Sequence, residues 1–216
     1  MEVNVKKVQA ILFDLDGVLV DACDWHYLAL NEALKGVNVE PISRDDHTSK
    51  YNGLPTAVKL KMLGLHEDTC AMVWKLKQEY TLETIKKNAK VQKEKIELFE
   101  SLQQMSVKIV CVTNSIRQTA KEMLKATGQL DYFHTIVSNE DVKNNKPFPD
   151  CYNHAVETLD LDPDQCIIVE DSPKGIEAAE KSIVPSKNIL RVKNSKEVNL
   201  RNVWRFIDEN FDSNGW

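Results

Sequence analysis

Five short apolar runs rich in Ile and Val punctuate the chain, at residues 8–13, 107–112, 135–137, 166–169 and 189–192, each bounded by polar or turn residues. Short continuous runs of this kind suit strands buried on both faces of a parallel sheet. Between them lie amphipathic stretches at 93–104, 118–127, 151–159 and 175–181. Parallel strands need crossover connections, and these stretches supply them as helices. The alternation predicts an α/β fold, a doubly wound, Rossmann-like parallel sheet.

One interval breaks the rhythm. Between the first and second runs the chain offers no strand and reads instead as helices. Residues 24–35 carry Trp25, Leu28, Leu30, Ala33 and Leu34 on roughly one side, 55–63 follow a Gly-containing turn, and 67–90 form a long charge-rich amphipathic run. The expectation is a core domain of residues 1–19 and 91–216 with an inserted α-helical domain at 20–90. The lysine-rich stretch 86–95 reads as a solvated helix face or linker, because glutamate interrupts it and no aromatics interleave. Residues 212–216 are expected to fray. No internal repeat is found.

Composition narrows the class. With 216 residues, 42% of them hydrophobic, the chain can bury a substantial core. Its 28 basic against 33 acidic residues give a formal charge of −5, which supplies no overall attraction to nucleic acid or an anionic membrane. Five cysteines, Cys23, Cys70, Cys111, Cys151 and Cys166, form no C-x-x-C pair or zinc-spaced cluster. A reducing cytoplasmic setting is expected, with Cys111 and Cys166 acting as small hydrophobes inside strands. The opening residues lack a signal peptide's apolar region and cleavage site, and no run reaches membrane-spanning length.

Open α/β sheets bind ligands beyond the carboxyl ends of their strands, so the residues there carry the chemistry. The first run ends in Asp14-Leu15-Asp16-Gly17, the second in Thr113-Asn114-Ser115, the third leads to Lys146-Pro147-Phe148-Pro149-Asp150, and the fourth ends in Glu170-Asp171-Ser172. Taken singly, each has a bland reading: the Asp-x-Asp as a turn or cap, Thr113 as a helix N-cap, Lys146 as a solvated loop lysine. Together, Asp14, Asp16, Glu170 and Asp171 assemble a carboxylate cluster too repulsive to stand without a cation, and suited to a hard one such as Mg²⁺. A phosphoryl group further needs donors and positive charge, which Thr113, backbone N–H groups and Lys146 can offer.

The segments DLDGVLVD at 14–21, VTNS at 112–115, KPFPD at 146–150 and VEDSPKGIEAA at 169–179 resemble, in this order, the four signature motifs of the haloacid dehalogenase superfamily. The resemblance covers nearly the whole chain and is to the subgroup that includes β-phosphoglucomutase and phosphoglycolate phosphatase. It implies that the inserted domain is a helical cap that opens and closes over the core. It implies Asp14 as the nucleophile forming an aspartyl-phosphate, and Asp16 as general acid and then base. Thr113 and Lys146 would hold phosphoryl oxygens. Mg²⁺ would be bound by Asp14, the Asp16 backbone carbonyl and Asp171, with Glu170 on the ion directly or through water. Asn114, His26, Asn52 and Gly53 are the candidate substrate contacts, with Trp25, Lys50 and Tyr51 as further cap candidates.

Asp16 argues against dehalogenase chemistry, since a halide leaves without a proton, and phosphonatases usually lack this acid too. His26 stands twelve residues after Asp14, where β-phosphoglucomutases have a histidine, although it also reads as a packing or surface residue. Those mutases carry an arginine for a second phosphate where this chain has Asn52-Gly53-Leu54-Pro55-Thr56. The sequence therefore predicts a phosphatase acting on a small-molecule phosphate monoester, with a sugar-phosphate mutase as the alternative. A fold retained for binding or scaffolding without turnover is the alternative of another class, disfavoured by the presence of Asp14, Asp16 and Lys146. A monomer is the expected state. Ser182 and Ile183 depart from the Ala-Gly usual at that point in relatives, and the helix-to-strand turn there is expected to differ.

Overall fold

The computed structural model describes residues 7–211, so the tail expected to fray at 212–216 lies outside the described residues. In chain order come β1 (Ala10–Phe13), α1 (Cys23–Gly36), α2 (Arg44–Asp46) with a π-helical turn at His47–Tyr51, α3 (Thr56–Met62) and α4 (Glu67–Asn88). They are followed by α5 (Lys93–Gln104), β2 (Lys108–Val112), α6 (Arg117–Ala126), β3 (Thr135–Val137) and α7 (Asp150–Thr158). The last elements are β4 (Cys166–Glu170), α8 (Pro173–Glu180), β5 (Ile189–Arg191) and α9 (Leu200–Asn210). The chain divides into two compact units, Met1–Asp21 with Val91–Trp216, and Ala22–Lys90.

The five strands form one parallel sheet in the order β3-β2-β1-β4-β5. Every residue of β1 and β4 is buried, which is why both read as unbroken apolar runs. In register, Phe13 faces Cys111 on one side and Val169 on the other. The chain builds outward from β1 to β3, then returns to lay β4 against the far side of β1. That reversal opens a crevice at the carboxyl ends of β1 and β4, where open sheets place their ligands.

Helices cover both faces. On one, Phe99 of α5 meets Phe13 edge-on at 5.8 Å and Phe133 at 5.3 Å between ring centroids. Full burial of a phenylalanine side chain is worth about 2–3 kcal/mol, so this triad is a principal anchor of α5. On the other, Tyr152 and Ala155 of α7 and Ala178 and Ala179 of α8 pack with Leu12, Val110 and Ile168. Cys111 and Cys166 are buried in strands, and burial pushes both thiols up, Cys166 to about 12.

Three local features add to or change the expectations. Helix α9 was not foreseen, although Asn199 caps it by accepting from the Asn202 N–H, and Val203 and Ile207 give it a buried face at helical spacing. Lys95 lies in the stretch read as solvated, yet it is 4% exposed and donates to the carbonyls of Ser195 and Val198. Burial lowers its pKa to about 8. At the end of α8, Ser182 Oγ donates to the Ala179 carbonyl and accepts from the Val184 N–H. The departure from Ala-Gly thus serves as a hydroxyl cap on the helix terminus.

The helical unit has its own core of Leu30, Ala33 and Leu34 from α1, Leu60 from α3 and Val73 from α4. Leu28, expected on the buried side of α1, is 43% exposed, because the buried face runs through Ala29 and Leu30 instead. Both ends of the Asn31 carboxamide pair with the backbone of Ile42 at 3.0 Å, tying the loop after α1 to its helix. Among the described residues no helix is long and apolar enough to cross a membrane.

Candidate active site

Asp14 is the first residue beyond β1, and its N–H continues the ladder to the Val169 carbonyl at 3.0 Å. The chain then turns sharply. Leu19 and Val20 both donate to the Leu15 carbonyl, and Gly17 donates back to Val20. Leu15, Val18, Leu19 and Val20 are fully buried, so the apolar letters of DLDGVLVD pin the loop that presents the two aspartates. Gly17 has φ +97°, and a Cβ there would lie 2.1 Å from Asp171 Oδ2. The glycine therefore permits both the turn and the approach of Asp171.

Lys146 sits at the centre of the cluster with its side chain 3% exposed. Its Nζ donates to Asp14 Oδ1 at 2.6 Å, Glu170 Oε1 at 2.6 Å and the Val112 carbonyl at 2.9 Å. All three ammonium hydrogens are thus matched by acceptors. Asn114 fixes the lysine's backbone, accepting from the Lys146 N–H at 3.0 Å and donating to the Lys146 carbonyl at 3.3 Å. The carboxamide expected to meet substrate is therefore engaged in holding the lysine loop. Thr113 is buried, its Oγ1 accepting from the Ser115 N–H, while Ser115 Oγ donates to Asp16 Oδ2 at 3.2 Å.

Glu170 ends β4 and is fully buried. Beside Lys146, its Oε1 accepts from the Tyr152 hydroxyl at 2.8 Å. Its Oε2 accepts from the N–H groups of Asp171 and Ser172 and from Ser172 Oγ. Ser172 also caps α8 by accepting from the Gly175 N–H. Sequence reasoning missed Tyr152 and Gly175. Tyr152 lies two residues past the KPFPD segment, and its ring lies under Lys146 Nζ at 4.8 Å to the centroid.

The charges do not balance within the described side chains. Asp14, Glu170 and Asp171 bring carboxylate oxygens within 4.8 Å of one another, against the single ammonium of Lys146. Burial, and then the Glu170 charge, push the Asp14 carboxyl well above the usual carboxylate range despite Lys146. Asp171 rises to about 7 for the same two reasons. Burial disfavours the charge on Lys146, yet Asp14 and Glu170 outweigh it and hold the ammonium above its ordinary value. Asp171 Oδ1 is buried with no hydrogen-bond partner among the described residues. An all-oxygen donor set with surplus negative charge and an orphaned carboxylate oxygen fits a hard divalent cation.

The remaining candidates, His26, Asn52 and Gly53, belong to the helical unit. His26 Nδ1 lies 3.4 Å from Lys77 Nζ. Asn52 and Gly53 sit on an exposed turn after the π-helical segment, Asn52 donating to the His47 carbonyl and Gly53 adopting φ +69°. Tyr51 is largely buried, while Lys50 is exposed and pairs with Asp46 at 2.6 Å.

Comparison with known proteins identifies the family. The chain is 28% identical over 181 residues to a phosphorylated carbohydrates phosphatase from Thermotoga maritima, covering 81% of this chain and 82% of that one. It is equally 28% identical to the phosphoglycolate phosphatase of Aquifex aeolicus, covering 81% of each, and to the β-phosphoglucomutase of Bacillus subtilis, covering 79% and 78%. In fold it is similar to a crystal structure of β-phosphoglucomutase from Clostridium difficile, with a TM-score of 0.75 at 23% identity over 94% of this chain and 98% of that one. Residues 11–189 match the family of haloacid dehalogenase-like hydrolases, and with that match running from β1 through the helical insertion to the start of β5, the chain belongs to that family.

Proposed function

We propose that the protein is a Mg²⁺-dependent phosphatase that hydrolyses a small-molecule phosphate monoester through an aspartyl-phosphate on Asp14. The observation that carries this reading is the buried Lys146, bonded at 2.6 Å to Asp14 beside an Asp171 oxygen that has no hydrogen-bond partner among the described residues. Lys146 holds the Asp14 carboxylate in place, and its positive charge opposes the upward push of burial and Glu170, favouring the ionised form that attacks phosphorus. As the P–O ester bond breaks, Asp16 gives its proton to the leaving oxygen. It then takes a proton from the water that attacks the aspartyl-phosphate, which releases inorganic phosphate and restores the Asp14 carboxylate. The hydrogen bond from Ser115 orients Asp16 for both transfers. Thr113 and backbone N–H groups after β2 receive the phosphoryl oxygens. Asp14, Asp171 and the Asp16 carbonyl would hold Mg²⁺, which when bound screens the repulsion between carboxylate and phosphoryl group. Residues His26, Asn52 and Gly53 of the helical unit are the positions assigned to substrate choice.

Sugar-phosphate isomerisation is the second reading, favoured by His26 and its contact with Lys77 together with the similarity to the Bacillus subtilis mutase. One experiment separates them. Purified protein with Mg²⁺ is given p-nitrophenyl phosphate and a panel of sugar and short organic-acid phosphates, scored for free phosphate and for isomerised ester. Metal-dependent phosphate release is the expected result. Isomer without release would establish the mutase instead, and no turnover of any ester would favour a binding role.

A further inference from the structure

Glu170 presents an acceptor problem that its neighbours solve. An ionised carboxylate offers about four lone-pair sites. Glu170 already receives five donors: Lys146 Nζ, Tyr152 OH, the N–H groups of Asp171 and Ser172, and Ser172 Oγ. No acceptor capacity remains for a cation, although the carboxylate lies among the acidic groups that could share one. Its surroundings are built for a fixed orientation. A Cβ at position 175 would sit 1.8 Å from Oε1, so Gly175 leaves the space in which that oxygen rests. Ser172 and the backbone after β4 grip Oε2 from the other side.

Oε1 is shared by two donors, and that sharing places the lysine. Lys146 has four rotatable side-chain bonds and reaches the site from a loop, so its ammonium needs external restraint. The restraint is the Glu170 oxygen at 2.6 Å, itself held at 2.8 Å by the Tyr152 hydroxyl, while the Tyr152 ring lies under the same ammonium. Tyr152 is fully buried in α7, packed in the sheet's core, so the restraint is anchored in a rigid element rather than a loop.

We propose that Tyr152 is a positioning residue: through its hydroxyl it fixes Glu170, and through Glu170 it fixes the Lys146 ammonium against Asp14. Glu170 is accordingly an anchor for the lysine rather than a ligand to the metal. This inference rests on the phosphatase reading and sharpens it.

The test is Tyr152→Phe, alone and combined with Glu170→Gln, in the full chain with Mg²⁺ and p-nitrophenyl phosphate. Phenylalanine keeps the ring, its packing and its contact with the ammonium while removing only the hydroxyl. Losing one hydrogen bond to a charged group should lower kcat about tenfold. KM should stay within about twofold, because the ground-state contacts to substrate are untouched. Once Glu170→Gln has been made, adding Tyr152→Phe should cost much less, since both changes break one relay. A purely structural role would instead lower the Tm and leave the kcat of the folded fraction intact, and that result overturns the proposal. So does wild-type kcat in Tyr152→Phe, or an undiminished loss in the Glu170→Gln background. Should Tyr152→Phe not fold, Gly175→Ala, which crowds the same oxygen, must show the kcat loss, and a wild-type kcat there overturns the proposal. An inactive wild-type protein would sink the phosphatase reading itself, a different outcome from an active enzyme indifferent to Tyr152.

Discussion

Two sets of ion pairs, one in each unit, treat charge in opposite ways. In the sheet unit, Asp14, Lys146 and Glu170 are buried and linked at 2.6 Å, around an ammonium whose side chain is 3% exposed. In the helical unit, Lys35–Glu32 and Lys50–Asp46 pair at similar distances, yet each side chain stays 43–60% exposed. Equal lengths conceal unequal work. Exposed pairs are screened by water and contribute little, whereas a buried pair that loses one partner strands a desolvated charge. The sheet unit thus carries charge at a cost to its own stability, which is a mark of chemistry rather than of folding.

The sharpest way to break this comparison is Lys146→Met, which keeps the side chain's length and removes its charge. Two buried carboxylates would face each other unpaired, and the fold should lose about 3–5 kcal/mol by denaturant titration. Activity should fall by roughly a hundredfold or more in kcat. A variant of wild-type stability would mean that the cluster is wetter than its burial implies.

A smaller effect concerns the metal. Asp171, raised to about 7, binds a proton in the metal-free fold that the unfolded chain releases near the ordinary carboxylate value. Its contribution to stability is full below that ordinary value and is lost as pH rises through about 7. Mg²⁺ competes with this proton, so the rise in Tm on adding Mg²⁺ should be larger at pH 8 than at pH 6. Equal rises at both values would remove Asp171 from the ion. The smallest effect belongs to the helical unit: Lys50→Ala, which breaks the exposed pair with Asp46, should leave the Tm unchanged in a thermal melt.

The same contrast explains what could be read from the chain. The strands were legible because burial on both faces forces unbroken apolar runs; Asp14, Thr113 and Asp171 were legible because they lie at the ends of those runs, and Lys146 because the KPFPD segment stands in order among the motifs. Tyr152 and Gly175 were not, since each looks like an ordinary helical residue until the fold brings Glu170 against it. The hold of the Asn114 carboxamide on the Lys146 backbone could not be read, because sequence shows a polar residue beside a site but not which way its carboxamide turns. Lys95 was misread for a related reason: its acceptors, Ser195 and Val198, lie a hundred residues on. In the helical unit the elements were legible but the substrate was not, because exposed turns such as Asn52-Gly53 carry no periodic signal of what they bind.

Capture of the covalent intermediate tests the account at its centre. Protein turning over substrate with Mg²⁺ is quenched with borohydride, which reduces an acyl phosphate to the alcohol, and the digested chain is read by tandem mass spectrometry. Homoserine in place of Asp14, seen only when substrate is present, is the predicted result. Unmodified Asp14 under steady turnover, or reduction at Asp16 or Asp171 instead, would contradict it.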